Sequence, residues 1–259
     1  MPNSLTHIYG ADCVLTALEA DTAKVCAAHK NVYLSGSYAT DIFFGFFGSG
    51  SLKRGFGSFC HHNRIFETIS NTAEYLRNLY ANGGKNDALL AYFYGYLTHY
   101  GLDRTVHAWV YDYVKNASNN SSDKHFCGTF HTSCETEMDL YIALNYLDND
   151  SRKVNTARLV RFDKEVNTAI SDFYLSVNAD ILGKVLTQGE IKTARRIVLL
   201  MAQWFQRKNV FPPLVWLVKF ADKGIDKTHR LITFLRPKKL NTEKNYLNFD
   251  RIKYPVNRS

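Results

Sequence analysis

The sequence predicts an all-α fold, and three observations support this prediction. Proline is scarce, at five of 259 residues, and long stretches of chain lack clusters of turn-forming residues. Two triplets of His, Asp and Glu recur at intervals of four residues, a spacing that places each triplet on one face of an α-helix. These triplets are His99, Asp103 and His107, and then His131, Glu135 and Asp139. We therefore expect a single multi-helix domain over residues 1–259.

Hydrophobic periodicity predicts the individual helices. Residues 12–29 read as one helix or two short ones, with His7 just ahead of it, and Asn63 is a candidate N-cap for the next helix. Residues 31–60 are rich in Gly and Ser among Phe residues, which indicates a long irregular loop held in place by its aromatic side chains. The other predicted helices cover residues 64–82, 87–116, 163–182, 189–208 and 214–222.

Charge and cysteine content restrict the class of protein. The net charge is +8, and residues 222–259 contain ten Lys or Arg against four Asp or Glu. Such a basic tail can approach anionic lipid headgroups or phosphate, or can be a solvated terminus, and nucleic acid is not predicted as a partner. The five cysteines are odd in number and include no CxxC pair, which excludes a disulfide framework and a zinc ribbon.

The chain contains no predicted membrane span, because no run of about 18 apolar residues occurs. Its first seven residues also lack the basic and apolar regions of a signal peptide. Together with the cysteine pattern, these features lead us to expect a cytoplasmic protein. The segment 195–208 has basic ends around an apolar centre, so it is either a buried helix or a site of transient contact with a membrane surface.

The two triplets predict a metal site. Imidazole nitrogens beside carboxylates on one helical face provide the donors that Zn²⁺ and similar divalent metals prefer. None of the candidate ligands is a cysteine, whereas structural zinc sites are usually rich in cysteine. Two alternatives remain open: helices whose histidines are simply hydrogen-bonded, and a metal that only stabilises a helix bundle. The candidate ligands are His7, Asp41, His61 or His62, His99, Asp103, His107, His131 and Glu135.

In their order along the chain, these residues make the sequence similar to the zinc-dependent phospholipase C family of all-helical phosphoesterases. The resemblance covers about residues 1–140, which we take as the half with the metal site, and leaves C-terminal helices and the basic tail at about 150–259. It implies two or three Zn²⁺ ions, other divalent metals being compatible with the ligands. By resemblance, Asp41, His61 or His62, His99 and Asp103 hold the first ion. His107, His131 and Glu135 hold the second, and His7 with a bridging Asp103 holds the third.

The sequence departs from the family pattern at two positions. Secreted members complete the third site with an N-terminal Trp, whereas this chain begins Met1-Pro2. Secreted members also have a longer turn before the histidine of the second site, whereas residues 103–107 read as uninterrupted helix. The third site is therefore either absent or rebuilt, and the geometry of the second site is open.

The resemblance implies a metal-dependent hydrolase of phosphoesters, with a phospholipid or its headgroup ester as the substrate. Zinc ions can bind phosphate oxygens and supply hydroxide at neutral pH. Asp41 is the candidate catalytic residue, because a loop carboxylate beside the metals can orient water or deprotonate it. Asp139, one turn beyond Glu135, is predicted to fix a ligand imidazole by a hydrogen bond. The alternatives are a metal-binding protein with a regulatory role and a metal hydrolase of phosphatase or nuclease type.

Overall fold

The computed structural model of the chain describes residues 4–45, 56–117, 124–150, 153–182 and 186–205, with residues 213, 215–217, 220, 237, 239 and 240. Over these residues the regular elements are helices and no strand occurs, which confirms the all-α prediction. The α-helices are α1 Ser4–Leu15, α2 Ala20–Ala28, α3 Lys30–Gly36, α4 Phe56–His62, α5 Ile65–Ala81, α6 Asp87–Ala117, α7 Lys124–Asn145, α8 Thr156–Leu159, α9 Lys164–Leu182 and α10 Gln188–Phe205, and a 3-10 helix covers Thr40–Gly45. None of the helices described is both long and apolar enough to cross a membrane.

The long predicted helix at 87–116 is confirmed as the uninterrupted α6. Its start is capped by Asn86, whose side-chain oxygen accepts a hydrogen bond from the backbone N–H of Leu89 at 2.9 Å. The helices predicted at 163–182 and 189–208 correspond to α9 and to α10, of which residues 206–208 lie outside the described part of the chain. The prediction at 214–222 also falls mostly on residues outside it.

Three local predictions were wrong. Residues 31–60 are largely helical where they are described, because α3, the 3-10 helix and α4 occupy them, while residues 46–55 lie outside the description. His7 does not precede the first helix but lies within α1, which begins at Ser4. Asn63 does not cap α5, since its backbone N–H completes α4 by a bond to the carbonyl of Phe59 at 2.9 Å. Arg64, with φ of 52°, occupies the cap position instead.

The chain divides into two compact units. We call Gly10–Tyr100 with Ala157–Leu200 the central unit, and Met1–Tyr9 with Gly101–Thr156 and Met201–Ser259 the terminal unit. Three helices, α1, α6 and α10, contribute residues to both units. The prediction of a single domain over residues 1–259 stays a prediction.

The central unit contains a close crossing of α3 and α6 at two glycines. A Cβ atom added to Gly95 would lie 2.8 Å from the Cα of Gly36 and would overlap the carbonyl oxygen of Tyr33. A Cβ atom added to Gly36 would likewise overlap the carbonyl oxygen of Tyr92. Because real Cβ atoms do not approach backbone so closely, both positions require glycine. The crossing holds the end of α3 firmly against the middle of α6.

Buried tyrosines connect α6 and α9 with the chain that follows α3 in the central unit. The hydroxyls of Tyr92 and Tyr174 lie 2.7 Å apart, and the Tyr174 hydroxyl donates to the carbonyl of Ala39 at 3.2 Å. The Phe43 ring meets the edge of Tyr174 with ring centroids 5.0 Å apart. These contacts satisfy the polar ends of buried aromatic rings. They also fix the 3-10 helix, which carries Asp41.

The terminal unit has two apolar clusters that hold α7 in place. The first surrounds Leu5 of α1 and the end of α7, and the second joins α6 to the middle of α7. The first consists of Leu5, Ile142, Ala143 and Val154, and the second of Val110, Val114, Cys134 and Met138. Each fully buried Val, Leu, Ile or Met side chain stabilises the folded state by about 1.5–3 kcal/mol. The two clusters therefore pack α1, α6 and α7 firmly within this unit.

Candidate metal centre

Candidate ligands of the central unit form one group, which we call the central group: Asp41, His61 and His99. Asp41 lies in the first turn of the 3-10 helix, and His61 lies in the last turn of α4. The Asp41 Oδ1 and His61 Nε2 atoms are 3.1 Å apart. The Nε2 atoms of His61 and His99 are 3.3 Å apart. Two imidazoles and one carboxylate of the predicted first site are therefore neighbours.

Backbone carbonyls fix which nitrogen each histidine of the central group offers. The Nδ1 atom of His99 is 3.1 Å from the carbonyl oxygen of Ser37, and that of His61 is 2.7 Å from the carbonyl oxygen of Gly57. A carbonyl oxygen only accepts, so each Nδ1 carries the proton that it donates. The Nε2 atom of each ring is then the one that faces the other candidate ligands and is available to a metal. The Thr40 hydroxyl lies 2.7 Å from Nε2 of His99 and 3.2 Å from Nε2 of His61.

Burial and charge act in opposite directions on Asp41. Its side chain is almost fully buried, which alone would raise the pKa of the carboxyl. A hydrogen bond from His61 and the charges of His99 and His61 outweigh burial and lower the pKa to about 2. Asp41 is therefore an anion at neutral pH.

Candidate ligands of the terminal unit form a second group, the terminal group: His7, Asp103, His107, His131 and Glu135. Glu135 Oε1 lies 2.8 Å from Nε2 of His131 and 3.1 Å from Nε2 of His107. One ligand atom from each of these three residues falls within 4.8 Å of the others. The carboxyl of Glu135 is buried, which raises its pKa, but the charge of His131 and hydrogen bonds from both histidines hold that pKa well below its usual range.

Asp103 lies between two histidines of the terminal group. Its Oδ1 atom is 3.2 Å from Nε2 of His7, and its Oδ2 atom is 3.7 Å from Nδ1 of His107. His107 follows Asp103 by one turn of α6, so the uninterrupted helix keeps both side chains on the same face. The two carboxylate oxygens thus face different histidines. This arrangement is consistent with the bridging role predicted for Asp103, which stays a prediction.

Asp139 binds the start of α1, and its predicted hydrogen bond to a ligand imidazole stays a prediction. Its carboxylate accepts hydrogen bonds from the backbone N–H of Leu5 at 3.2 Å, the backbone N–H of Thr6 at 2.8 Å and the Thr6 hydroxyl at 2.7 Å. Complete burial raises the pKa of Asp139 to about 7, although the bonds from Thr6 and Leu5 and the charge of His7 lower it. The carboxylate therefore anchors the first turn of α1, directly before His7.

Several contacts of the two groups were not predicted from the sequence. They include the Thr40 hydroxyl, the two carbonyl acceptors and the Tyr111 ring. The Tyr111 ring lies 5.5 Å from that of His107 and 5.6 Å from that of His131, measured between centroids. The spacing of four residues between His107 and Tyr111 on α6 could have predicted their contact. No sequence pattern identifies a backbone carbonyl as the partner of a histidine. His62 is exposed beside His61, and the choice between the two as a ligand stays a prediction.

The side chains present fit zinc. Both groups offer imidazole nitrogens and carboxylate oxygens, which suit a borderline divalent metal. In the central group each histidine donates its second ring N–H to a backbone carbonyl, an arrangement that orients metal-ligating histidines in proteins generally. Although Cys134 is next to Glu135 in sequence, it lies in the apolar cluster with Val110 and Val114 and belongs to neither group of candidate ligands.

Comparison with known proteins agrees with this chemistry. Residues 6–186 match the family described as zinc dependent phospholipase C, so the match extends beyond the ligand candidates into the later helices. No curated protein and no solved structure gives a significant match to the chain. The family match covers more than half of the chain and includes His7, Asp41 and both triplets. The chain therefore belongs to the zinc-dependent phospholipase C family.

Proposed function

We propose that the protein hydrolyses phosphoesters with the help of two or three bound zinc ions. The observation that carries this proposal is the convergence of His107 and His131 on one oxygen of the buried Glu135. Zinc usually has four ligands, and a carboxylate with two imidazoles supplies three of them. The fourth position is then available to water or substrate. Membership of the family supports the same reaction class.

Each group supplies three side chains for one ion in this proposal. We assign His107, His131 and Glu135 to one ion, and the central group to another. His7 and Asp103, 3.2 Å apart, are the pair available for a third. Glu135 and Asp41 remain anions at neutral pH, and they offset the positive charge of the metals. Two sets of three side chains and one further pair are the reason that we propose two or three ions.

Zinc supplies a Lewis acid for phosphate oxygens and a source of hydroxide at neutral pH. The side chains of this protein orient the reactants around it. In our proposal Asp41 accepts a hydrogen bond from the attacking water and thereby aligns or deprotonates it. The carbonyls of Ser37 and Gly57 keep the rings of His99 and His61 in position during the reaction. Such preorganisation lowers the barrier because no ligand has to reorient.

Metal analysis of the purified protein tests the proposal directly. We expect inductively coupled plasma mass spectrometry to find two or three zinc ions per chain. We also expect a loss of zinc when His99 or His131 is replaced by Ala. His61→Ala is expected to lose zinc from the central group, whereas His62→Ala is the matched control on the next residue and retains it. Less than one ion per chain, with no loss in the His99 and His131 variants, would contradict the metal site.

A panel of substrates then separates the reaction classes. We expect hydrolysis of bis(p-nitrophenyl) phosphate that disappears on chelation and returns with zinc. Activity on phosphatidylcholine vesicles would identify a lipid substrate, and activity on glycerophosphocholine a soluble headgroup ester. Activity restricted to phosphomonoesters would indicate a phosphatase instead. Bound zinc without any hydrolysis would favour a binding or regulatory protein.

We also propose that contact with an anionic membrane surface involves the C-terminal part of the chain. The helical residues Trp216, Leu217 and Phe220 are more than half exposed, and the Trp216 and Phe220 rings stack with centroids 5.6 Å apart. The basic sequence after residue 222 complements anionic headgroups. In the segment 195–208, by contrast, Arg195 is half-buried and donates to the carbonyl of Val160 at 2.8 Å. Trp216→Ala is expected to reduce sedimentation with phosphatidylserine vesicles, and unchanged sedimentation would refute the contact.

A further inference from the structure

The first turn of α1 obtains its hydrogen-bond acceptor from a distant side chain. The first N–H groups of a helix have no partner within the helix, so another group has to accept from them. In α1 the carboxylate of Asp139 accepts from Leu5 and Thr6, which are 134 and 133 residues away in sequence. The hydroxyl of Thr6 adds a third bond to the same carboxylate. Asp139 therefore caps α1 from α7.

The side chain of Asp139 is completely buried, so its position relative to α1 is closely restricted. A buried carboxylate is costly unless several donors surround it, and here three donors and the positive end of the α1 dipole do so. The apolar cluster around Leu5 also joins α1 to α7, but apolar contacts tolerate small shifts along and around the helix axis. Directional bonds to two consecutive backbone N–H groups do not tolerate such shifts. Asp139 thus determines where the first turn of α1 lies.

His7 follows Thr6 directly in this turn. Its imidazole is buried, and its Nε2 atom is 3.2 Å from Oδ1 of Asp103. Since consecutive helical residues are rigidly connected, fixing the backbone of Thr6 fixes the Cα–Cβ direction of His7. The three bonds of Asp139 described above therefore act on His7 through the helix backbone. All of these residues lie in the terminal unit.

We propose that Asp139 is the positioning residue for His7, and that it holds the His7 imidazole at Asp103 by capping α1. The proposal rests on the proposed function, in which His7 and Asp103 contribute to a metal site. It gives α1 an anchor made of side chains of this chain. Asp139 itself is not a ligand in this proposal.

The test compares Asp139→Asn with Glu137→Gln. The first keeps the shape of Asp139 but places an amide N–H₂ against the backbone donors, and the second removes a carboxylate two residues away on the same helix. We expect Asp139→Asn to weaken zinc binding by about 10–100-fold, as loss of groups that orient ligands usually does. Glu137→Gln is expected to bind zinc like the wild type. Equal affinity in wild type and Asp139→Asn would overturn the proposal.

A double variant shows whether Asp139 acts through His7. In a His7→Ala background, Asp139→Asn is expected to cause no further loss of zinc affinity, since the residue that it positions is absent. A loss of the same size in both backgrounds would overturn the proposal, because Asp139 would then act on another part of the site. This non-additivity separates a positioning role from a general effect on folding.

Nuclear magnetic resonance of the metal-free protein provides a readout that does not depend on metal or activity. The imidazole signal of His7, assigned by its loss in His7→Ala, is expected to shift in Asp139→Asn and to stay in place in Glu137→Gln. If the wild type binds no zinc, the proposed function fails, and this signal still decides the inference. Should Asp139→Asn not fold, Thr6→Val removes one of the three bonds. An unchanged His7 signal in that variant would overturn the proposal, and a shifted one supports it.

Discussion

Replacing Gly95 by Ala is expected to destabilise the protein strongly, although alanine is the better helix former. The added Cβ atom would lie 2.8 Å from the Cα of Gly36 and 2.9 Å from the backbone nitrogen of Ser37, and it would overlap the carbonyl oxygen of Tyr33. All three obstacles are backbone atoms, which cannot rotate away as a side chain can. The two helices therefore have to separate.

The magnitude follows from overpacking of close-packed interiors. Overpacking costs about 1–3 kcal/mol where side chains can adjust, and we expect the upper end of this range for Gly95→Ala because only backbone can move. At about 2–4 °C per kcal/mol for a protein of this size, the melting temperature is expected to fall by about 6–12 °C. Gly36→Ala is expected to cause a similar loss, because its Cβ atom would overlap the carbonyl oxygen of Tyr92.

Gly101→Ala is the matched control in the same helix. A Cβ atom at Gly101 would meet nothing within 4 Å, so no clash opposes the better helix propensity of alanine. This variant is expected to be more stable than the wild type by about 0.5–1 kcal/mol. Far-ultraviolet circular dichroism during heating measures both variants. If Gly95→Ala melted at the temperature of the wild type or above it, the close crossing of α3 and α6 would be refuted.

Three further predictions concern the charged groups. Chelation is expected to lower the melting temperature and added zinc to restore it, because a ligand of the native state stabilises that state; equal melting curves would speak against a bound metal. Glu135→Gln preserves the shape of the side chain but not its charge, and metal analysis is expected to find one zinc ion fewer per chain. The lowered pKa of Asp41 stabilises the metal-free protein above pH 3.8, the ordinary value, and this contribution is lost as the pH falls towards about 2. Urea unfolding of wild type and Asp41→Asn is therefore expected to converge near pH 2, and a constant difference would contradict the lowered pKa.

Much of the candidate site could be predicted because its residues lie on long helices. The period of α6 alone places Asp103 and His107 on one face, and the same period in α7 pairs His131 with Glu135. Helical spacing is a local property, so it needs no knowledge of the remaining chain. The family match covers both helices.

The parts that could not be predicted depend on long-range packing. Glycine and serine around Asp41 are typical of a loop, but burial of Phe43 against Tyr174 stabilises a 3-10 helix there. The partner of Asp139 lies more than 130 residues away, and no local pattern identifies it. The requirement for glycine at position 95 likewise depends on α3, which the sequence alone presented as a loop.

The contacts of His107 and His131 with Glu135 determine where these two imidazoles carry their protons. Because an ionised carboxylate only accepts hydrogen bonds, His107 and His131 each carry a proton on the Nε2 atom that faces Glu135. A metal that binds to these nitrogen atoms has to displace both protons, either to the other ring nitrogen or to solvent. Protons that leave to solvent would make the enthalpy of zinc binding, measured by calorimetry, depend on the ionisation heat of the buffer. The metal-free protein thus holds protons where a bound metal ion would lie, and protons released to solvent on binding would couple metal affinity to pH.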